Sequence, residues 1–291
     1  MNERERVKLA AVQMEPQLME IERNLAKIRE MIKTAASARA ELIVFPECSL
    51  TGYMFSSREE ASQFSESVPG SATEEISSVC KAHNVHVVFG LIEKEDEMLF
   101  NTAVLIGPQG VVGKYRKTHL PCLGVDRFLD AGNLPFKVFK TPLANIGIEI
   151  CYDIMFPEAS RVLALQGADI LTLITNYSPL PWGRGARISD CIIPARAMEN
   201  RVHVMAVDRI GLERGFTFVG RSKIVDALGE TLGEAENFKE EIVYAEVGLA
   251  MARQKQSTVL KGEWEVNGVN DRRPELYGEI TKKKPDADCK K

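Results

Sequence analysis

The 291-residue sequence has no CxxC pair, and none of its four histidines falls at ligand spacing from a cysteine. A structural zinc site and a thioredoxin-like redox pair are therefore not expected. The six cysteines, Cys48, Cys80, Cys122, Cys151, Cys191 and Cys289, are scattered rather than set in a framework, which suits free thiols in a reducing compartment. Long apolar runs are missing as well. The longest, such as Leu42 to Phe45 and Ile170 to Ile174, are strand-sized, far short of the roughly 18 residues of a membrane span. The opening Met1-Asn2-Glu3-Arg4-Glu5-Arg6 is too charged and acidic for a secretory signal, so a cytoplasmic protein is expected. There is no excess of positive charge either: 37 Lys plus Arg stand against 41 Asp plus Glu. That balance gives no electrostatic reason to expect nucleic acid or an anionic membrane as partner. No Pro/Gly/Ser tract divides the chain, and 45% hydrophobic with 27% charged residues is an ordinary globular composition.

What is present is an alternation of helix and strand patterns. Val7 to Met14 reads as extended, and Ile21, Leu25, Ile28 and Ile32 then recur at helical spacing. Glu41 to Phe45 is a short strand ended by Pro46. A helix over Thr73 to His83 leads to a strand over Val85 to Ile92, and Asn101–Ile106 and Val111–Arg116 read as a pair about Gly107-Pro108-Gln109-Gly110. In the second half, Asn145–Ile150, a helix over Ala159–Gln166 stopped by Gly167, and Asp169–Ile174 echo the first. Ile188–Asn200 reads as helix, and Val202–Val207, Phe216–Val225 and Ile242–Val247 as strands. This pattern predicts an α/β sandwich in one domain over residues 1–280, with helices on the outer faces of the sheets. A polar Lys-rich tail over 281–291 follows.

Cys151 sits where a strand passes into a helix that starts near Phe156-Pro157-Glu158. A nucleophile at such a junction is exposed at the sheet edge, close to helix N-terminal amides that favour an anion. A free thiol is only a few per cent ionised at neutral pH, so chemistry there needs a base or a cation. His119 and His203 carry no Cys-His signature. Glu47 and Lys117, each at the end of a strand, are the better candidates, although either alone would pass for a surface residue.

Taken together, three motifs carry a resemblance. Phe45-Pro46-Glu47-Cys48-Ser49-Leu50-Thr51-Gly52-Tyr53, Tyr115-Arg116-Lys117-Thr118-His119-Leu120-Pro121 and Ile150-Cys151-Tyr152-Asp153 with Phe156-Pro157-Glu158 resemble, in that order, the nitrilase superfamily of carbon-nitrogen hydrolases. The likeness runs from Lys8, through Arg196-Ala197-Met198-Glu199-Asn200-Arg201, to about Tyr277. It implies a four-layer αββα sandwich and a homodimer or higher homo-oligomer. It also implies a Glu-Lys-Cys triad: Cys151 as nucleophile, Glu47 as general base, and Lys117 with the Tyr152 N–H as oxyanion donors. No metal or organic cofactor is implied.

The expected reaction is hydrolysis of a small aliphatic amide or carbamoyl (ureido) compound through a thioester, with water as co-substrate and ammonia as product. A nitrile substrate, acyl transfer to an amine, and a catalytically silent scaffold on the same fold are the alternatives. Pocket contributions are expected from Tyr53, Asn176, Tyr177 and Trp182, on loops after strands. Two acidic residues stand out. Asp126 is one methylene shorter than the further glutamate that family members often carry after the lysine. Glu149 is expected by strand alternation on the face of Cys151, roughly 6 to 7 Å away, either ion-paired with an arginine or as an accessory acid.

Overall fold

The helical spacing after residue 20 is realised as α1 (Ile21–Ser37), which buries Leu25, Ile28, Ile32 and Ala35 along one stripe. The computed structural model describes residues 5–177 and 188–282; Trp182, Cys289 and the tail beyond residue 282 lie outside the described residues. Before α1 runs β1 (Arg6–Gln13), and after it come β2 (Leu42–Val44), α2 (Arg58–Gln63), α3 (Ser71–His83), β3 (His86–Glu95), β4 (Met98–Gly107) and β5 (Gly110–Arg116). The second half holds β6 (Phe139–Lys140), β7 (Asn145–Ile150), α4 (Pro157–Leu165), β8 (Ile170–Thr175), α5 (Ile193–Asn200) and β9 (His203–Asp208). Then follow β10 (Ile210–Glu213), β11 (Phe216–Val219), β12 (Lys223–Val225), β13 (Thr231–Glu234), β14 (Glu241–Gly248) and α6 (Leu249–Arg253).

Two six-stranded sheets result, in the orders β14-β1-β2-β3-β4-β5 and β13-β12-β9-β8-β7-β6. Each has three parallel strands at its centre, β1-β2-β3 and β7-β8-β9, flanked by antiparallel ones. Parallel strands must be covered on both faces, and alternate residues divide accordingly. Leu9, Ala11, Leu42 and Val44 meet Ile146, Ile148, Ile150 and Met205 in a core between the sheets. Ala10, Val12, Ile43 and Phe45 turn outward to Ile28, Ile32 and Ile76 of α1 and α3. Leu171, Leu173 and Val204 face Leu163 of α4 and Ala197 of α5. The layers are therefore helix, sheet, sheet, helix, the αββα sandwich.

The echo between the halves extends to single hydrogen bonds. The Glu41 carboxylate accepts from the Lys8 N–H (3.1 Å) and the Asp169 carboxylate from the Asn145 N–H (3.0 Å). The carbonyls of the same two residues accept from the N–H groups of His86 and His203, which open the third strand of each parallel set. The stretch read as one strand over Phe216–Val225 is instead two. Positive φ at Gly220 (83°) and Arg221 (72°) breaks it, so that β11 pairs with β10 and β12 with β9 in different sheets. The helix expected over Ile188–Asn200 opens as a π-helical turn over Ile188–Ile192 before α5.

The chain divides into two compact units, Met1–Arg253 and Gln254–Lys291. The second unit contains a hairpin of β15 (Gln256–Leu260) and β16 (Trp264–Asn267) followed by two short 3-10 turns. Among the described residues no helix is long and apolar enough to cross a membrane, and the five described cysteines are all free thiols.

Candidate active site

The carboxyl ends of the parallel strands in open α/β sheets are where crevices form, and the candidate residues gather there. The Phe45 N–H continues the ladder to the Val88 carbonyl, and Pro46, with no N–H to give, ends it. Glu47 follows, and the chain then turns tightly at Cys48 (φ 48°), whose carbonyl accepts the N–H groups of Thr51 and Gly52. That turn presses on β3 at Gly90, where a Cβ would overlap the Cys48 nitrogen; only glycine allows this approach. Lys117 leaves β5 with its backbone N–H on the Asn101 carbonyl, 2.8 Å away. Asp126 lies in a 3-10 turn over Gly124–Phe128. Gly124, with φ at 49°, opens that turn against the face of the Tyr53 ring.

These residues form one buried network. Lys117 Nζ donates to Glu47 Oε1 and to Asp126 Oδ2, both at 2.6 Å, and all three side chains are wholly inaccessible. Asn101 Nδ2 donates to the same Glu47 Oε1 at 2.7 Å and to Asp126 Oδ1 at 2.8 Å. The Tyr53 hydroxyl donates to Asp126 Oδ2 at 2.8 Å. Glu47 Oε2 is buried and has no hydrogen-bond partner. Burial pushes the Glu47 carboxyl up to about 7, with Asp126 adding to the shift and Lys117 opposing it. Burial would lower the Lys117 ammonium, but Asp126 and Glu47 outweigh it and hold the lysine well above its ordinary range. Lys117 is therefore a cation at neutral pH.

Cys151 follows β7 directly, at φ 46°, and opens a 3-10 turn over Cys151–Met155. A non-glycine residue in the left-handed region costs about 1 to 2 kcal/mol, so something must hold it there. Asp153 does so: its Oδ2 accepts the Ile150 N–H (3.0 Å) and the Tyr115 hydroxyl (2.9 Å), and its Oδ1 meets His119 Nδ1 at 2.7 Å. His119 stacks on Phe156 at 3.8 Å and belongs to this brace. Burial lifts the Cys151 thiol well above its ordinary range, Glu47 adds to that, and Lys117 and an N–H from Asn176 pull the other way. The thiol is therefore protonated at rest. Tyr152, next along, is exposed and sets its ring edge-on to Phe156.

Of the residues expected in the pocket, Asn176 and Tyr177 follow β8 and leave buried polar atoms without partners: both ends of the Asn176 amide and the Tyr177 hydroxyl. Tyr53 uses its hydroxyl on Asp126, and Trp182 is among the residues not described. Arg196 and Glu199 form the i,i+3 pair their spacing suggests, at 3.1 Å. Among the described residues no cluster of three His, Cys, Asp or Glu side chains could hold a metal ion.

Glu149 corrects the alternation argument. Gly147 and Glu149 face α4, where the Ser160 hydroxyl donates to Glu149 Oε1 at 2.8 Å, whereas Cys151 joins the core between the sheets. The period of two ends with the strand at Ile150, and the left-handed turn at Cys151 re-aims its side chain. No described cation lies within ion-pair distance of Glu149, and its Oε2 has no partner. Burial pushes this carboxyl up to about 8. Its folded form binds a proton more tightly than the unfolded chain, so the stability it contributes is present at acid pH and lost as the pH rises through about 8. Glu149→Gln keeps the Ser160 contact and cannot ionise. Its melting temperature should fall less than that of the wild type between about pH 5 and pH 8; parallel melting curves would show that Glu149 is not the group responsible.

Asn101 and Asp153 were not among the expected site residues. A polar Asn101-Thr102 pair inside the apolar Leu99–Ile106 run was the available signal for the first.

A carboxylate–lysine pair facing a thiol at the rim of an αββα sandwich defines a class of hydrolase. The family model for carbon-nitrogen hydrolases matches residues 8–256, and the chain belongs to that family, within the nitrilase superfamily. A nitrilase of Pyrococcus abyssi is 38% identical over 276 residues, covering 93% of this chain and 99% of that one. A citrullinase of Francisella tularensis is 32% identical, covering 95% and 99%. Among solved structures, a carbon-nitrogen hydrolase from Helicobacter pylori superposes with a TM-score of 0.81 at 23% identity, over 96% of this chain and 99% of that one. This last match shows the shared fold.

Proposed function

We propose that Cys151 is the nucleophile, Glu47 the general base, and Lys117 with the Tyr152 N–H the oxyanion donors in hydrolysis of a small aliphatic amide or carbamoyl compound. The observation that carries this reading is Glu47, with one oxygen held by two donors and the other buried and bare. A carboxylate pushed up to about 7 can take the thiol proton and return it within one catalytic cycle. The thiolate attacks the carbonyl carbon, and the oxygen takes up negative charge. An ammonium has three N–H groups; Glu47 and Asp126 accept two from Lys117, which leaves one for that oxygen. One such donor is worth about 3 to 4 kcal/mol. Glu47 then protonates the leaving nitrogen, ammonia departs, and a thioester remains on Cys151. Water, deprotonated by Glu47, cleaves the thioester, releases the acid and restores the thiol.

The name of the Francisella relative supports a ureido substrate, and that of the Pyrococcus relative favours a nitrile as the second reading, in which the same thiolate would give a thioimidate first. A panel of short amides, ω-amides, ureido acids and nitriles, read by ammonia release, separates them. Turnover of nitriles alone would overturn the amide or carbamoyl assignment. With the best substrate, kcat/KM should rise with pH and reach half its plateau near pH 7, because the ionised Glu47 is the active form. A rate flat from about pH 5.5 to pH 8.5 would contradict Glu47 as base.

We also propose a homodimer through the outer helical layer of the second sheet. Met155, Val162, Leu165 and Met198 stand exposed there on the 3-10 turn, α4 and α5. Sedimentation at micromolar concentration should show twice the 32.4 kDa chain mass, and a monomer would contradict it.

A further inference from the structure

We propose that Asn101 is the positioning residue of the base: its side-chain amide clamps Glu47 Oε1 and Asp126 Oδ1, leaving Glu47 Oε2 as the atom that takes the proton. The inference rests on the reading of Cys151 and Glu47 given above. Two carboxylates stand side by side in a site with no solvent access, bridged on one side by the Lys117 ammonium and on the other by the Asn101 amide. Asp126 also receives the Tyr53 hydroxyl, but without the second bridge Glu47 would be free to rotate about its single contact with Lys117. Asn101 removes that freedom from Glu47. It uses both N–H groups on the two acids, its carbonyl oxygen receives the Cys48 thiol at 3.7 Å, and its backbone carbonyl receives the Lys117 N–H. One residue of β4 thereby fixes the base, the second carboxylate and the lysine.

The residue type suits the task. The pair of carboxylates already has its cation, and a second one would remove the negative character on which proton abstraction depends. A neutral amide supplies two donors without changing the charge. A serine has one donor and a shorter reach, so it could serve at most one of the two acids.

The titratable groups close enough to interact electrostatically with Glu47 are Lys117, Asp126, Cys48, Tyr53, Cys151 and Tyr177, and the side chains that hydrogen-bond to it are Lys117 and Asn101. A hydrogen bond to an ionised carboxylate favours the ionised form. Loss of the Asn101 donor therefore makes Glu47 hold its proton to higher pH, and the acid limb of any reaction that uses Glu47 as base moves up with it. Mere structural support would lower the melting temperature and leave that limb in place.

The test is inactivation of the full chain by chloroacetamide as a function of pH, with the modified cysteine identified by peptide mass, for the wild type, Asn101→Ala and Asn101→Ser. Thermal melts identify the variants that fold. The wild-type rate at Cys151 is expected to reach half its plateau near pH 7. In a folded variant the midpoint should move up by about one unit, with Cys151 labelling several-fold slower at neutral pH. A folded variant with a wild-type midpoint overturns the inference alone. A wild-type chain whose Cys151 does not label overturns the underlying reading, and this inference with it.

Discussion

Replacing Cys151 by alanine should lower ammonia release by at least about 10⁴-fold on every substrate the wild type accepts. The loss is this large because the other groups of the site act through the sulfur. Glu47 has no proton to take without it, and the oxyanion donors have no tetrahedral intermediate to stabilise. Little stability should be lost. The substitution removes one sulfur from a buried position at the end of β7, and Asp153 still anchors the turn through the Ile150 N–H. A Cys151→Ala chain that melts like the wild type yet turns over within tenfold of it would mean that the nucleophile lies elsewhere.

The second large effect is on the fold as well as on the rate. Lys117→Met leaves Glu47 and Asp126 adjacent, buried and without their shared cation. Breaking a buried ion pair by removing one partner costs about 3 to 5 kcal/mol, a fall in melting temperature on the order of 10 °C for a chain of this size. The loss should depend on pH in a definite direction. Without the ammonium nothing cationic opposes the burial that pushes the Glu47 carboxyl up, so its contribution is intact at acid pH where it is protonated and is lost as the pH rises through its folded value. The gap between wild type and variant should therefore widen from about pH 5 to pH 8. A gap that narrows with pH would mean that the carboxylates are not the groups left unpaired. Turnover should fall by at least about 10²-fold at any pH, because an oxyanion donor has gone.

Sequence pattern made the layers legible and left the network within them hidden. The spacing of Ile21, Leu25, Ile28 and Ile32 and the β-branched runs of β2, β3 and β8 determine which face each element buries. The helix stop at Gly167 is realised at φ 88°. The three motif residues could be named because each is embedded in a local pattern. Asn101 could not, because its role exists only through contacts 54 and 25 residues away along the chain. Asp126 looked one methylene short, yet it reaches Lys117 at 2.6 Å because the Gly124 turn carries it inward against Tyr53. Glu149 was misplaced for the opposite reason. Alternation holds only while the backbone stays extended, and it gave way at Cys151, the residue on which the argument depended.

Competition among the cysteines for chloroacetamide is the most direct measurement of the central claim. Cys122 and Cys191 are exposed, whereas Cys151 is buried and its thiol is pushed up. On accessibility alone Cys122 and Cys191 should react first. The account predicts the reverse at neutral pH: a first adduct on Cys151, formed together with loss of activity and before Cys122 or Cys191 is modified. Labelling of Cys122 or Cys191 first, with Cys151 untouched, would contradict it.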